Sequence, residues 1–581
     1  MRKLYYIFIS ILTMSLVLSC ENDFLEKTPG VDVTEDTIFS TAEQLDYYMA
    51  GTYFWGVMSD LPYCDIRGPI ECSSDCATDI AETEASWYWV HKCWTNGVMN
   101  PSDSHSCGDL KWETYWKAIR RCNIILERID DPVLTPFDDP DFKKRCKGEA
   151  HMILALNYFE LFTKYGGVPI IRKRLNSDDD LLIPRSTLEE TVNFVLEHCE
   201  EAIKLLPKPN ELTDAERGRL TNVAAMCLKS RTLLYAASPL YNTDKPYLDF
   251  GANNDLIVYG NYDKERWKLA ADAADEAIKE ALATGHDLVR NKTMVEDGKE
   301  IDITYRYIWE TPDNEEVILA DQSKSARYIV HFPWGPSAPE TLEGMSGSMM
   351  PLNFMKKYEK KDGTPQKWDM EGGNDLLKKY SELEPRFQQT VAYQGTPWNR
   401  TFPSIDCSQT GRQVNKVGQF IHKPVPYIVS NVYGENQVPK GIMFRLAELY
   451  LNYAEALNEY NETPPAEAYD AVDLIRERVG LPGWKRTLSK EEFRAKLHDE
   501  KGIEFCHEGL RLYDLLRWME CENEGVMNGA MYGIKIEKLA NGECSYAPYI
   551  YGYRTFNRRM YKLPFLQSEV NKGYLIQNPG Y

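Results

Sequence analysis

Two irregular stretches of the sequence, 75–100 and 328–350, combine large aromatic rings with carboxylates and amides. A flat indole ring can lie under the C–H face of a sugar, where it offers a large contact area at a small cost in side-chain entropy. A few carboxylates and amides around such a ring can bind the hydroxyl groups of the sugar. The two stretches therefore predict a carbohydrate-binding site. The residues of these types that we expect to contact the ligand are Asp75, Asp79, Trp87, Trp89, Trp94, Asn96 and Trp334.

Each of these tryptophans has a structural alternative, which is a place in the hydrophobic core. Trp112, Trp116 and Trp518 fall within helical patterns, and we predict that all three are core residues. A tryptophan in a loop more often fills the core than contacts a ligand, so the prediction is that at least one of the four named loop tryptophans contacts the ligand. The setting supports this prediction, because long irregular segments of compact proteins are usually functional.

The sequence matches none of the common catalytic motifs GxSxG, HExxH and GxxxxGK[ST]. A glycoside hydrolase, the enzymatic alternative, needs two carboxylates that face each other across a cleft. With 88 acidic residues in the chain, a neighbouring pair such as Asp178–Asp179 gives no information about such a cleft. The cysteines also contain no CxxC pair of the kind found in structural zinc sites. The sequence therefore predicts a binding protein without catalysis, cofactor or metal.

Charge excludes some partners. Lys and Arg number 67 against 88 Asp and Glu, which gives a formal net charge of −21. Such a balance argues against nucleic acid and against attachment to anionic lipid through a basic patch. Two oppositely charged pairs at a spacing of three residues, Glu508 with Arg511 and Asp514 with Arg517, are predicted to be surface or capping pairs worth a few tenths of a kcal/mol.

The 14 cysteines divide into Cys20, at the end of an apolar run, and 13 others, an odd number that cannot pair completely. Seven of the 13 lie in the first quarter of the chain. Disulfides among them fit an exported protein, and buried free thiols are the equal alternative.

The N-terminus reads as an export signal. Arg2 and Lys3 precede an apolar run, 4–18, that is too short to cross a bilayer comfortably. The run ends in Ser19-Cys20, which resembles the bacterial lipobox and implies cleavage after residue 19 and lipid on Cys20. An ordinary signal peptide with a chance cysteine is the alternative. Residues 20–40 are predicted to form a tether, and 41–581 a single domain.

The clearest helical pattern lies in Gly441–Trp484. Its first half places Leu446, Leu449, Tyr450, Tyr453 and Leu457 on one stripe of a helix, and its second half does the same with Ala468, Ala471, Val472, Ile475 and Val479. Two such helices form one unit of the tetratricopeptide kind, and a single unit cannot bury its apolar faces without similar neighbours.

Further units are predicted along the chain. The repeats are expected at about 111–166, 186–238, 263–283 and 441–480, and a loop-rich insertion at about 285–440. Ser186 with Glu189, and Ser489 with Glu492, have the spacing of capping boxes at helix starts. The predicted fold is therefore mainly α, a tetratricopeptide-like scaffold of about four helix pairs with a large irregular insertion.

Over its whole length the sequence resembles the SusD/RagB family of outer-membrane lipoproteins of Bacteroidetes. One departure is Glu500-Lys501-Gly502, where the family usually has an arginine-rich run. The stretches that carry the resemblance, in order, are Leu16–Cys20 with the DFLEKTPG that follows, Lys111–Ile129, Leu182–Pro207, Gly218–Asn242, Phe444–Glu459, Glu508–Trp518 and Tyr561–Tyr581.

The resemblance implies a non-enzymatic lipoprotein on the outer face of the outer membrane, anchored through Cys20. It implies four tetratricopeptide units and a glycan site assembled from an early loop and the large insertion. Its expected partners are an oligosaccharide or polysaccharide and a SusC-like TonB-dependent transporter, on which the protein sits as a lid. Some relatives take peptides or glycopeptides instead, which remains the alternative.

Overall fold

A computed structural model describes residues 34–58, 73–83, 91–102, 112–296, 298–311, 313–321, 348–398, 402–423, 427–428 and 441–581. The helices are α1 Glu35–Ile38, α2 Ala42–Tyr53, α3 Ser73–Cys76, α4 Trp112–Arg128, α5 Pro140–Tyr165, α6 Leu188–Leu205, α7 Asn222–Ala237, α8 Glu265–Ala283, α9 Tyr307–Glu310, α10 Leu352–Met355, α11 Leu376–Glu382, α12 Pro385–Thr390, α13 Leu446–Tyr460, α14 Ala466–Glu477, α15 Lys490–Glu504, α16 Arg511–Trp518 and α17 Gln567–Val570. The strands are β1 Thr293–Glu296, β2 Lys299–Asp302, β3 Val317–Asp321, β4 Val391–Ala392, β5 Phe420–Ile421, β6 Gly441–Arg445, β7 Gly529–Lys538 and β8 Cys544–Arg554. None of the described helices combines the length and the apolar character needed to cross a membrane.

The long helices stack side by side, as a tetratricopeptide-like fold requires. α4 packs on α5, α5 on α6, α6 on α7, and α7 on α8. Beyond α8 the stack continues with α13, which follows the insertion in sequence, and then with α14. Because α8 lies directly against α13, the insertion leaves and re-enters the stack between two neighbouring helices.

α13 is buried on more than one face. Leu446 and Leu449 of the predicted stripe are fully buried, whereas Tyr450 and Tyr453 are only partly covered. Leu451, which lies outside the stripe, is also fully buried. The helix has neighbours on two sides, α8 and α14, which accounts for this wider buried surface. The preceding residues 441–445 form strand β6 instead of continuing the helix.

A capping box begins α6, one residue later than the spacing predicts. In place of Ser186 and Glu189, the reciprocal bonds join Thr187 and Glu190: the Glu190 N–H donates to Thr187 Oγ1 at 3.1 Å, and the Thr187 N–H donates to Glu190 Oε2 at 2.8 Å. The second predicted box, at Ser489–Glu492, is confirmed. Both boxes satisfy amide groups that the first turn of a helix leaves unpaired.

The described part of the insertion consists of short strands, short helices and loops, as the sequence predicts. β1 pairs with β2, and β4 pairs with β5, all antiparallel. β3 pairs with β6, so backbone hydrogen bonds connect the insertion to the strand that leads directly into α13. Buried ion pairs add to this attachment, for example Arg386 with Glu500 of α15 at 2.6 Å.

The structure contains a long hairpin near the C-terminus that the sequence analysis does not predict. β7 and β8 pair over ten positions, with one irregularity between Met531 and Tyr532. Asn541-Gly542 lies in the connection, and Gly542 has φ +84°, a conformation that glycine adopts freely. Asn-Gly flanked by β-branched and aromatic residues is a hairpin signal that the sequence does contain.

All described cysteines are buried free thiols, and no disulfide joins any two of them. Burial raises the pKa of the Cys76 thiol to about 12, which keeps it protonated and unreactive. Within the described part of the chain, the cysteines are therefore free thiols rather than disulfides. These residues are Cys76, Cys93, Cys122, Cys146, Cys199, Cys227, Cys407, Cys506, Cys521 and Cys544.

Two histidines on adjacent helices face each other. Nδ1 of His151 on α5 lies 2.7 Å from Nδ1 of His198 on α6, and the ring centroids are 4.9 Å apart. Burial, followed by the charges of His151 and Arg172, lowers the pKa of His198 to about 3 from an ordinary value of 6.5. The pKa of His151 is also lowered, first by burial. Both rings are therefore neutral in the folded chain at pH 7.

This pair predicts a loss of stability in mild acid. Unfolding releases His198 to an ordinary pKa, so its contribution is complete above pH 6.5 and is lost as the pH falls from there towards 3. At pH 5 the loss from His198 is expected to be about 2 kcal/mol. His198→Phe should reduce the difference in unfolding free energy between pH 7 and pH 5 by about that amount, measured by urea unfolding at both values. An equal pH dependence in the variant and the wild type would contradict the prediction.

Candidate functional site

The two stretches that the sequence singles out meet in the structure. The Glu82 N–H donates to the Met349 carbonyl at 2.8 Å, and the Met349 N–H donates to the Glu82 carbonyl at 2.8 Å. Met349 in turn bridges Phe420 of β5, which pairs with β4. We call this set, Glu82, Met349, β5 and β4, the junction ladder. It fixes the early loop to the end of 328–350 and to the body of the insertion.

Buried charge holds the Glu82 end of the ladder. Glu82 is 3% exposed, and its Oε2 accepts hydrogen bonds from the Tyr551 hydroxyl at 3.0 Å and from Arg554 Nη2 at 3.1 Å. Lys416 Nζ lies 3.3 Å from Oε1. A buried carboxylate is stable only when paired in this way, so the contacts tie the early loop to the β7–β8 hairpin.

Trp87 and Trp89 lie outside the described residues, and so does Trp334. In sequence the first two follow Glu82 by a few residues, and Trp334 precedes the other side of the ladder. Asn96 is described and exposed. Ligand contact by these four residues stays a prediction.

Three other predicted ligand residues are interior. Asp79 is fully buried, and both its carboxylate oxygens accept hydrogen bonds from Arg511, each at 3.0 Å. Asp75 is 2% exposed and accepts a hydrogen bond from the Gly509 N–H at 3.1 Å, while Trp94 is 3% exposed in the main core. This burial argues against direct ligand contact by the three side chains. In the structure they position the early loop instead.

Electrostatics separates the two aspartates. Burial raises the pKa of Asp79, but the charges of Arg511 and Lys357 outweigh it and hold the pKa below its ordinary value. Burial raises the pKa of Asp75 to about 7, against the opposing influence of the Gly509 N–H and Lys423. Asp79 is therefore a permanent anion paired with Arg511, whereas Asp75 is near half protonation at neutral pH.

The pairs predicted to lie on the surface, Glu508 with Arg511 and Asp514 with Arg517, are buried, so that prediction is wrong. Asp514 and Arg517 do pair, at 2.7 Å, but Arg517 also binds Glu455. Arg511 binds Asp79 rather than Glu508.

An exposed aromatic ring stands beside this region. The Thr555 N–H donates to the Thr95 carbonyl at 3.0 Å, which places the end of β8 against the segment that contains Asn96. Tyr553, two residues earlier on β8, is 71% exposed, and Val98 is 56% exposed. The sequence reasoning missed Tyr553, although Tyr549, Tyr551 and Tyr553 repeat at the period of a strand face.

The described residues provide binding chemistry rather than a metal centre. No group of three or more His, Cys, Asp or Glu in the described ranges is arranged to hold a metal ion. The described residues do offer an exposed ring at Tyr553 and an exposed amide at Asn96, which are groups that recognition of a polyhydroxylated ligand uses.

The fold defines the class of the protein, a tetratricopeptide-like helical-repeat scaffold that carries a large insertion. The family model described as the SusD family matches residues 307–581, and one described as "Starch-binding associating with outer membrane" matches residues 23–234. The chain belongs to the SusD family.

Known proteins resemble the chain over nearly all its length. The SusD-like protein P38 of Formosa agariphila is 23% identical over 549 residues, which is 90% of this chain and 93% of that protein. A SusD-like protein of Bacteroides fragilis superposes with a TM-score of 0.76 at 25% identity and covers 96% of this chain and 100% of its own. A laminarin-binding SusD-like protein superposes with a TM-score of 0.55 at 18% identity, covering 94% of this chain and 100% of its own. These likenesses confirm the tetratricopeptide-like fold.

Proposed function

We propose that the protein is a cell-surface lipoprotein that captures an oligosaccharide and passes it to a SusC-like TonB-dependent transporter, without catalysis. The observation that carries the proposal is the junction ladder, which joins Glu82 and Met349, one residue from each of the two stretches. Glu82 also bonds Tyr551 and Arg554, the neighbours in β8 of exposed Tyr553. The name of the laminarin-binding relative supports a glycan as the ligand.

Anchoring follows from the N-terminus and from the family. Cleavage after residue 19 and acylation of Cys20 would hold the chain on the outer membrane, facing the cell exterior. The description of the second family model, which refers to association with the outer membrane, supports this location. Two or more acyl chains give stable anchoring, since each buried CH₂ contributes about 0.8 kcal/mol.

Substituting Tyr553 tests the glycan site. Tyr553→Ala should weaken oligosaccharide binding by about 1 kcal/mol, roughly fivefold, because a stacking platform is lost. The measurement is isothermal titration with oligosaccharides selected on a glycan array. Tyr262→Ala is the matched control, since Tyr262 is 62% exposed but lies in the segment just before α8.

The outcomes separate the alternatives. Equal affinities in the two variants would remove Tyr553 from the site. Binding of peptides but of no glycan would favour the peptide-binding alternative, and release of reducing ends from a bound glycan would show a hydrolase.

A further inference from the structure

A cavity lined by both polar and apolar side chains lies on the β4 side of the junction ladder. Its volume is about 380 Å³, and the lining includes Asp302, Arg306, Lys361, Gln389, His422 and Tyr427. This is near the small end of ligand pockets, which run from about 300 to 1,000 Å³. We call it the β4 cavity. Val391 and Ala392, which form β4, also line it, so the cavity and the ladder share a strand.

A buried imidazole faces this cavity without a partner at one nitrogen. His422 is 8% exposed, and its Nε2 makes no hydrogen bond within the described chain. Its ring packs edge-on against Trp398, with centroids 4.7 Å apart, so its orientation is fixed. Burial and the charge of Arg306 lower the pKa of His422 to about 4. At neutral pH the ring is therefore uncharged. An unpaired buried polar atom is costly unless a ligand or water satisfies it.

Other groups in the lining have spare hydrogen-bonding capacity. The Gln389 side-chain oxygen accepts a hydrogen bond from the Arg306 N–H at 2.8 Å, and its amide nitrogen has no partner in the described ranges. Asp302 uses one carboxylate oxygen to accept from the Thr304 N–H at 2.8 Å. Lys361 is exposed, and its ammonium forms no ion pair with a described residue.

This mixture of groups selects a class of ligand. An anion can only accept hydrogen bonds, so it could use Lys361 but neither Asp302 nor the His422 nitrogen, which are acceptors. Arg306, which is partly exposed, is already paired with Glu310 at 2.9 Å. A hydroxyl group both donates and accepts, and the cavity offers acceptors at His422 and Asp302 with donors at Gln389 and Lys361. The ring of Tyr427 adds an aromatic wall.

We propose that the β4 cavity binds a single uncharged sugar ring of the captured glycan, an inference that rests on the carbohydrate binding proposed above. The ring hydroxyls bond His422, Gln389 and Lys361, and the cavity of about 380 Å³ is of a size for one ring rather than a longer chain. The junction ladder runs from β4, which lines this cavity, to Glu82, whose carboxylate accepts a hydrogen bond from Tyr551 of β8.

Saturation-transfer NMR on the full mature chain tests the subsite, with free glucose, galactose, mannose and xylose as neutral probes and inorganic sulfate as the competing anion. At least one neutral sugar should receive saturation, and sulfate should not displace it. Gln389→Ala and Lys361→Ala should each weaken its binding about fivefold, the effect of one lost hydrogen bond. Lys378→Ala, at an exposed lysine of α11, is the matched control.

His422→Phe keeps an aromatic ring against Trp398 and removes the buried hydrogen-bond acceptor. The midpoint of its unfolding in urea shows whether this variant keeps the fold. No saturation of any neutral sugar, displacement by sulfate, or equal binding in the Gln389, Lys361 and Lys378 variants would overturn the subsite. Oligosaccharide binding that depends on Tyr553 would still stand in each of these cases. Loss of all oligosaccharide binding by the wild-type chain would instead remove the proposed function.

Discussion

Arg445→Met is expected to lower the free energy of unfolding by about 3–5 kcal/mol, the usual cost of removing one partner from a buried ion pair. Arg445 is 1% exposed and contacts three carboxylates. Its Nη1 lies 2.8 Å from Glu316 and 2.7 Å from Glu504, and its Nη2 lies 2.9 Å from Glu508. Methionine fills a similar volume but leaves these carboxylates with less compensating charge.

The position of Arg445 makes the effect large. Glu316 directly precedes β3 of the insertion, Arg445 ends β6, and Glu504 ends α15, so one guanidinium joins three parts of the fold. Burial raises the pKa of Glu504, but Arg478, Arg445 and Arg386 outweigh it and hold the pKa far below its ordinary range. Without Arg445 that pKa should rise towards its ordinary value, so the difference in unfolding free energy between the variant and the wild type should shrink as the pH falls below that value.

Urea unfolding followed by far-UV circular dichroism measures the change. Arg486→Met is the control, because Arg486 is half exposed and its ion pairs within the described residues are with Asp470 and Asp473 of α14. An exposed pair contributes at most about 1 kcal/mol. Arg445→Lys should fall between the two, since lysine keeps the charge but loses the forked geometry. Equal effects of Arg445→Met and Arg486→Met would refute a stabilising role for the network.

The sequence predicts the helices better than it predicts their charged contacts, because charged partners can lie far apart along the sequence. Periodicity is local, so α13 and α14 were recognised from the stripe positions alone. Glu508 and Arg511 are also local neighbours, yet their true partners are Arg445 and Asp79, 63 and 432 residues away in sequence. No spacing rule reports such a partner, and burial depends on elements that only the fold brings together.

The residues of the candidate site also divide into those that the sequence identifies and those that only the fold reveals. Composition identified the early loop, but it could not separate Asp79, which faces Arg511 inside, from Asn96, which is exposed. Tyr553 was missed because the β7–β8 hairpin was not recognised, despite the Asn541-Gly542 signal in its connection. His422 carried no signal at all, since an unpaired buried nitrogen is visible only once its neighbours are placed.

Arg511→Met should both destabilise the protein and weaken glycan binding, because Arg511 docks the early loop on α16. It forms two hydrogen bonds of 3.0 Å to Asp79, and its Nη1 donates to the His498 carbonyl at 3.0 Å. The variant leaves Asp79 buried, with Lys357 at 4.0 Å as its remaining cation. The expected cost is about 3–5 kcal/mol, and burial should then raise the pKa of Asp79.

Hydrogen exchange locates this effect at the junction ladder. Asp79 lies three residues before Glu82, so loosening it should speed exchange of the Glu82 and Met349 amides, which bond each other across the ladder. Exchange at the Leu449 amide of α13, in the repeat stack, is the internal control. Oligosaccharide affinity should fall together with the protection of the ladder amides from hydrogen exchange, because the ligand-binding residues would no longer be held in place.

The double variant Asp79→Leu with Arg511→Met distinguishes a lost pair from an uncompensated charge. Removing both charges leaves no buried ion, so stability should recover most of the loss seen in Arg511→Met. If the protection of the Glu82 and Met349 amides and the glycan affinity recover together with stability, the ion pair acts by keeping the early loop docked. If stability recovers while the Glu82 and Met349 amides stay unprotected, the directional hydrogen bonds of Arg511 set the position of the loop. If neither single nor double substitution changes exchange at the ladder, Asp79 and Arg511 do not position the site, and the link between this buried pair and glycan binding fails.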